Sequence, residues 1–283
     1  MSPPDGTVHL YPEIMPVTAR AKFAEELRAH RDKRTLTQEQ FAQMAHISLS
    51  LLKKIETGKR RPQADFAAWC DDFFGCPGTF ARFQELTLLE QFPEWFASRI
   101  PHEEKAAVIT EWDMRVVPGL LQTRGYARAI IRACQPFSSE QARAKDIEAR
   151  LERQAILARD TPPRLWALLS EGTLRQVVGG LDVMREQLSH LVGLVDGAKC
   201  VVQVLPFATP DAPGADGPVT IFEFDARQPV AYLEGWGSAR IAEDAREVSE
   251  IATTISMIKG CALSPADSRS LIIKIKDEMV CVK

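Results

Sequence analysis

Apolar residues recur at helical spacing in the first part of the chain, and each group of them predicts a short amphipathic helix. The inward positions of four predicted helices are, in order, Phe23 and Leu27; Phe41, Ala42 and Ala45; Leu52 and Ile55; and Phe66, Trp69, Cys70 and Phe73. Thr37 and Ser48 stand where helix N-caps are needed, and Gly58 stands where a left-handed cap is needed. This pattern predicts an all-α bundle with a helix-turn-helix at its centre and a turn near residue 46.

The rest of the chain mixes strand and helix patterns. Apolar runs predict strands at Ala106–Trp112, Leu165–Leu169, Cys200–Leu205, Val219–Phe224 and Val230–Leu233. Helical spacing appears in three sets, which are Ile147, Leu151, Ala155 and Ala158; Leu181, Met184, Leu188, Val192 and Val195; and Val248, Ile251, Ile255 and Ile258. Because the two patterns alternate irregularly, we expect an α+β domain with a largely antiparallel sheet. The Pro- and Gly-rich residues 209–218 predict a long loop, mobile enough to gate a binding site.

The length of the chain and a helix-stopping proline predict two domains. A chain of 283 residues is long enough for two cores, and 45% hydrophobic with 26% charged residues is typical of a globular protein. A linking helix is predicted over residues 79–91 and is stopped by Pro93. We therefore expect a disordered tail at 1–17, a helix-turn-helix domain with its linking helix at 18–92, and an α+β domain at 93–283.

Several protein classes are disfavoured by the composition. No run approaches the roughly 18 apolar residues of a membrane span, and the first residues lack the basic start and apolar core of a secretion signal. The six Cys residues are scattered without a CxxC pair, so neither a zinc site nor a disulfide framework is predicted. We expect reduced thiols, no metal, no membrane association and a cytoplasmic location.

Charge is distributed unevenly along the chain. The net charge is −3, but residues 1–62 hold 11 Lys and Arg against 7 Asp and Glu, while residues 63–283 hold 24 against 31. A basic segment on an otherwise acidic chain indicates a polyanionic partner at one end. A merely solvated helical face is the alternative explanation of the same charges.

The segment from Leu36 to Pro62 resembles the DNA-binding domain of the phage-repressor-like (Xre/Cro) helix-turn-helix class. Gln38, the Ile55-Glu56-x-Gly58 run and an Arg at position 31 fall where that family has them. The resemblance implies an ion pair between Arg31 and Glu56 that ties the first helix to the recognition helix. One departure is His46, where the family usually has Gly, because a positive φ costs His more than Gly.

The resemblance also implies which residues meet DNA, because it places the start of the 48–57 helix in the major groove. The candidate base contacts are Leu49, Ser50, Lys53 and Lys54. The candidate phosphate contacts are Gln38, Ser48, Lys59, Arg60 and Arg61. Any one of these lysines taken alone is as well explained by plain solvation.

Residues 95–283 resemble the C-terminal domain of actinobacterial Scr1-type, WhiJ-like regulators. The resemblance is carried by the Val117–Thr123 run, Tyr126-Ala127, Arg153–Leu157, Val204-Leu205-Pro206 and Ala262-Leu263-Ser264. In that family a helix-turn-helix precedes a domain of poorly understood role, and a small partner protein encoded nearby stands in an antitoxin-like relation to it. The resemblance implies no catalytic residues.

Catalytic and cofactor motifs are missing from the sequence. There is no GxSxG, HExxH, Walker or GxGxxG pattern, so we expect no enzyme and no cofactor. Five aromatic residues of the second domain are either a ligand pocket or core packing, namely Trp112, Tyr126, Trp166, Tyr232 and Trp236.

Together these observations predict a sequence-specific regulator of transcription that binds a double-stranded DNA operator as a homodimer. Its C-terminal domain is expected to sense a small-molecule effector or a protein partner. The alternative is an antitoxin-like interaction module that sequesters a small partner protein encoded nearby, with DNA binding as autoregulation.

Overall fold

The computed structural model describes residues 18–89, 92 and 94–279. The expected disordered tail over residues 1–17 lies outside the described residues. Residue contacts divide the chain into two units, Met1–Glu90 and Gln91–Lys283. In its described part the first unit is helical, and the second combines helices with a sheet. Within the same residues, no helix is long and apolar enough to cross a membrane.

The first unit is a bundle of short helices around one aromatic core. The helices are α1 (Ala19–Lys33), α2 (Gln38–Met44), α3 (Leu49–Glu56), α4 (Ala64–Phe74) and α5 (Thr79–Leu89). Phe23, Phe41, Leu52 and Phe80 are completely buried in the same cluster. The sequence predicts α5 as a link between domains, but Phe80 stacks edge-on against Phe23 at 5.2 Å between ring centroids. The helix therefore belongs to the core of this unit.

Two turns with the same hydrogen-bond pattern frame α3. After α2, His46 takes a left-handed φ of +52°, and the Ile47 amide donates to the Ala42 carbonyl at 3.0 Å. After α3, Gly58 takes a φ of +67° and the same pattern of bonds closes the helix end. Both turns are Schellman motifs. The start of α3 is fixed as well, because the Ser48 hydroxyl accepts a bond from the Leu51 amide at 3.1 Å.

A buried carboxylate joins α3 to α1 and α2. Glu56 is 1% exposed, and its Oε1 lies 2.7 Å from Nε of Arg31 on α1. Its Oε2 accepts a bond from the Gln38 side-chain amide on α2 at 2.6 Å. Arg31 also donates to the Leu36 carbonyl at 2.7 Å, and the Arg28 guanidinium donates to the Glu56 carbonyl at 2.5 Å. The orientation of α3 is thus set by charge-assisted bonds as well as by apolar packing.

The second unit is built on a sheet whose strands are connected mainly by helices. The helices are α6 (Glu94–Ala97), α7 (Ile100–Lys105), α8 (Arg124–Cys134), α9 (Glu140–Arg153), α10 (Glu171–Arg175), α11 (Leu181–Asp196), α12 (Ala245–Cys261) and α13 (Pro265–Glu278). The strands are β1 (Val108–Asp113), β2 (Arg164–Ser170), β3 (Val201–Leu205), β4 (Val219–Glu223), β5 (Val230–Gly235) and β6 (Ser238–Ala242). Short 3₁₀ turns cover Gly119–Leu121 and Gln154–Ala158.

The sheet is mixed, in the order β3-β2-β1-β4-β5-β6. β1 pairs with β2 and β2 with β3 in parallel, whereas β1–β4, β4–β5 and β5–β6 are antiparallel. The expectation of a largely antiparallel sheet is therefore only partly right. The parallel pairs arise because α8 and α9, and then α10 and α11, carry the chain back to the end of the sheet at which the preceding strand began.

Helices cover both faces of the sheet. Alternate residues of β2 enter different cores, with Leu165 and Leu169 packing on the side of α11 and α13, and Leu168 packing on the side of α12. Because β2 is buried on both faces, its sequence reads as a continuous apolar run. The apolar pattern did not predict α8, α13 or β6, although the Gly-Trp-Gly run at 235–237 marks the turn before β6.

The long loop before β4 is anchored at its middle. The Trp112 indole donates to the Gly214 carbonyl at 2.9 Å. Gly214 has a φ of +88°, and a Cβ placed there would lie 2.7 Å from both Ile258 Cδ1 and Trp112 Nε1. Only glycine lets the loop backbone come this close to the buried side chains. The loop therefore packs against α12 and β1 at that point.

His46→Gly is expected to stabilise the first unit by about 0.5–1 kcal/mol, because glycine removes the cost of a left-handed L-residue but adds freedom to the unfolded chain. Urea denaturation of the full chain measures the change. Gln43→Gly is the matched control, since Gln43 is exposed within α2 and should lose about the same amount. Equal destabilisation by both substitutions would show that the turn at His46 is unstrained.

Replacing Arg31 by Met should destabilise the first unit by about 3–5 kcal/mol, since it leaves the Glu56 carboxylate buried without its main partner. A double-mutant cycle with Glu56→Leu, followed by denaturant unfolding, should give a clear coupling energy. The exposed pair Lys22–Glu25 serves as control, with an expected coupling below about 1 kcal/mol. No coupling between Arg31 and Glu56 would contradict the account.

Candidate nucleic-acid interface

One side of α3 is open to solvent while the other is buried. Leu52, Ile55 and Glu56 face the bundle, whereas Ser50, Lys53 and Lys54, which are three or four residues from one another across a turn, share the opposite side. Leu49 lies at the margin between the two sides, three residues before Leu52. Ser50, Lys53 and Lys54 are exposed, and Leu49 is partly buried. At a rise of 1.5 Å per residue, Lys54 lies about 7.5 Å further along the axis than Leu49. The open side therefore combines short polar and apolar groups at its start with two long cations at its end.

A basic turn directly follows the open side of α3. Lys59 and Arg60 are exposed, and their amides donate to the Lys54 carbonyl at 2.8 and 3.0 Å. Arg61 is partly buried. The Schellman motif thus holds the turn against the helix end, so the cations of the helix and of the turn are displayed on neighbouring surface. A phosphate backbone requires such a set of fixed cations.

Two of the candidate phosphate contacts already have roles within the protein. The Gln38 amide nitrogen donates one N–H to Glu56, which leaves its second N–H as a donor and its side-chain oxygen as an acceptor. The Ser48 hydroxyl accepts the cap bond from Leu51, which leaves its O–H as a donor. Both side chains therefore keep a donor suited to a phosphate oxygen, and that of Gln38 also positions α3.

The ion pair at the base of α3 affects the electrostatics of this surface. The hydrogen bond to Glu56 raises the pKa of Arg31 above its ordinary value, against the effect of desolvation. Glu56 is thereby balanced by Arg31 and is turned away from solvent. The carboxylate therefore does not oppose a polyanion at the outer side of the helix.

The five aromatic candidates for a ligand pocket are not brought together. Tyr126 and Tyr232 belong to the core on the α11 side of the sheet, and Trp112 belongs to the core on the α12 side. Trp166 packs partly buried near Trp112's core, and Trp236 is fully exposed at the turn between β5 and β6. The sheet separates Tyr232 from Trp112 and Trp166, which the sequence pattern of aromatics alone does not reveal.

Sequence reasoning missed a cavity in the second unit. It has a volume of about 370 Å³ and lies among α6, α8, α9 and the segment after β1. Arg150 and Arg153 contribute to its wall from α9. The signal that could have found Arg150 is its position three residues after Ile147, on the side of α9 that also carries Leu151, where lysine or arginine is unusual unless it is paired.

A buried ion network lies behind this cavity. Arg99 on the turn before α7 binds Glu103 at 2.8 Å and Glu111 on β1 at 2.9 Å. Arg153 binds the other oxygen of Glu103 at 2.7 Å. Two cations and two carboxylates therefore balance one another. Across the described part of the chain, no group of three or more His, Cys, Asp or Glu side chains is placed to hold a metal ion.

Comparison with known families gives two matches along the chain. The model of a helix-turn-helix domain matches residues 22–82, which hold most of α1, all of α2 to α4 and the start of α5. This match indicates DNA binding and a role in transcription regulation. Comparisons with curated proteins and with solved structures give no match.

The second match covers most of the second unit. The model of a domain of unknown function, DUF5753, matches residues 96–274, from α6 into α13. Since this match spans more than half of the 283 residues, the chain belongs to the DUF5753 family and carries a helix-turn-helix domain in front of that domain.

Proposed function

We propose that the protein is a non-enzymatic, sequence-specific regulator of transcription that places the open side of α3 in the DNA major groove. The observation that carries the proposal is the open side of α3 itself, which is oriented by the Glu56 network and followed by a fixed basic turn. In this proposal Ser50 and Lys54 read base edges, and Leu49 contacts a thymine methyl group. The cations at 59–61 hold phosphates.

The second unit, whose sequence resembles the C-terminal domain of Scr1-type, WhiJ-like regulators, is proposed to sense an effector and to support a homodimer. The cavity of about 370 Å³ supports a small-molecule effector, because ligand sites are commonly of that size. The alternative function is sequestration of a small partner protein, with DNA binding as autoregulation. Phe137 and Trp236 are fully exposed and would be accessible to such a partner.

Lys54→Ala and Arg60→Ala should weaken DNA binding in different ways. Lys54→Ala removes a base contact, so it should cost about 1–3 kcal/mol on the preferred operator and relax preference at one base pair per half-site. Arg60→Ala removes a phosphate contact, so it should weaken binding to all duplexes and flatten the dependence of log K on log salt by about one unit per contact.

Titrations of specific and scrambled duplexes at three salt concentrations separate these effects. Lys22→Ala is the control, because it removes an exposed cation from α1 rather than from the proposed interface. If Lys54→Ala weakens both duplexes equally while Arg60→Ala changes base preference, the two residue roles are exchanged. If neither variant differs from Lys22→Ala, α3 is not the reading helix.

A homodimer is expected because one recognition helix reads only a few base pairs, and a two-fold assembly would place two helices about one turn of DNA apart. Light scattering of the full chain, free and bound to DNA, should give the mass of two chains. A single 31.5 kDa chain at tens of micromolar in both states would contradict this expectation.

A further inference from the structure

The cavity in the second unit is lined by both apolar and charged side chains. Phe96, Val116, Ile130 and Ile131 supply apolar surface, and Arg150 and Arg153 supply guanidinium groups. Its volume of about 370 Å³ corresponds to roughly twelve water molecules at about 30 Å³ each. A molecule of about ten to fifteen non-hydrogen atoms has that size. The apolar walls favour a ligand with a hydrophobic body.

Most charged groups of the cavity wall already have partners. Asp146 accepts a bond from the Gln135 amide at 2.8 Å, and Glu234 is 3.1 Å from Arg115. Arg153 is held by Glu103 at 2.7 Å. These pairings give each of the three groups a fixed position, and Glu234 and Arg153 also have a partner of opposite charge. None of the three offers an unpaired cation to an anionic ligand.

Arg150 is different. Its Nη1 donates to the neutral side-chain oxygen of Gln122 at 3.0 Å. Among the described residues, no carboxylate oxygen lies within 4.0 Å of its guanidinium, and Asp146 and Glu234 attract it only from farther away. A guanidinium has five N–H donors, so most of its donors remain without a protein acceptor. A partly buried cation without a neighbouring counter-charge is costly unless a ligand supplies one.

The charge of Arg150 persists at neutral pH. Burial, and after it the positive charge of Arg153, lowers the pKa of Arg150 to about 10. The side chain therefore still carries its proton at pH 7. A planar guanidinium matches a carboxylate by two parallel hydrogen bonds, which makes it more selective than an ammonium group.

We propose that this cavity binds a small carboxylate with an apolar body, with the carboxylate paired to Arg150 and the body against Ile130, Ile131 and Phe96. A monoanion fits better than a phosphate dianion, because Asp146 and Glu234 also face the cavity. The inference deepens the proposed function, since such a ligand would be the effector of the regulator. Its test, however, needs no DNA.

Hydrocinnamate and its neutral analogue hydrocinnamamide form a matched pair of probes for calorimetric titration of the full chain. The acid should bind at least about tenfold more tightly than the amide, because only the acid forms a charge-assisted pair with Arg150. Arg150→Gln should weaken the acid at least about tenfold and should leave the amide nearly unchanged. Arg124→Gln is the control, since it removes an exposed arginine of α8 that is paired with Glu148 outside the cavity wall.

A second measurement locates the bound acid in the wild-type protein and does not depend on how the variants fold. Cys134 lies in the cavity wall and is exposed, whereas Cys261 is exposed on α12 outside the wall. Saturating hydrocinnamate should slow alkylation of Cys134 by N-ethylmaleimide and should leave Cys261 unaffected. Mass spectrometry of peptides reads both sites in one sample.

Several results would overturn the proposal. These are equal binding of acid and amide, an unchanged affinity in Arg150→Gln, no protection of Cys134, or no binding of the acid at millimolar concentration. Displacement of the acid by inorganic phosphate at equal concentration would assign a general anion site instead. Binding of the acid by a chain that does not bind DNA would refute only the proposed function, and DNA binding without acid binding would refute only this inference.

Discussion

The carboxylate of Glu56 is the group on which the helix-turn-helix unit depends. It accepts bonds from α1 through Arg31 and from α2 through Gln38, so three helices meet at one buried charge. Apolar packing alone would allow α3 to rotate or slide against its neighbours, since leucine and isoleucine contacts have little direction. Charge-assisted bonds have fixed lengths and angles, and they therefore define which residues of α3 face outward.

The second unit uses buried charge in a related way. Arg99, Glu103, Glu111 and Arg153 form a balanced network that joins the region of α7 to β1 and α9. Because this network uses its own charges completely, it leaves Arg150 as the cation of the cavity wall that still lacks a close carboxylate. In the first unit the paired charge of Glu56 positions a helix. In the second unit a balanced network of four charges lies beside Arg150, which has no close carboxylate.

Local chemistry explains which parts of the fold could be predicted. The cap residues Thr37, Ser48 and Gly58 act within a few residues of themselves, and the structure has caps at all three places. Strand direction in the sheet was harder, because an apolar run such as that of β2 has the same appearance in parallel and antiparallel pairs. The crossover helix α8 was not predicted, and the predicted helices at 147–158 and 181–195, which lie between the first three predicted strands, were the available signal for parallel pairing.

The two candidate sites also differ in how far local sequence patterns reveal them. The outward residues of α3 follow from helix periodicity, which the sequence contains. The cavity required knowledge of which charges find partners across the fold, and Arg150 differs from Arg153 only in contacts with residues distant in sequence, such as Gln122 and Glu103. The aromatic residues gave a wrong prediction of a pocket because the size and hydrophobicity of a side chain do not indicate on which face of the sheet it lies.

The close approach of Gly214 to Trp112 changes the character of the loop around it. A loop composed of proline and glycine suggests one long flexible segment, but its fastening at Gly214 divides it into two shorter arcs, each closed at both ends. The number of conformations open to a chain segment falls as its ends are drawn together over fewer residues. Each arc can therefore move without displacing the other. Movement of the whole loop first requires the hydrogen bond between the Trp112 indole and the Gly214 carbonyl to break.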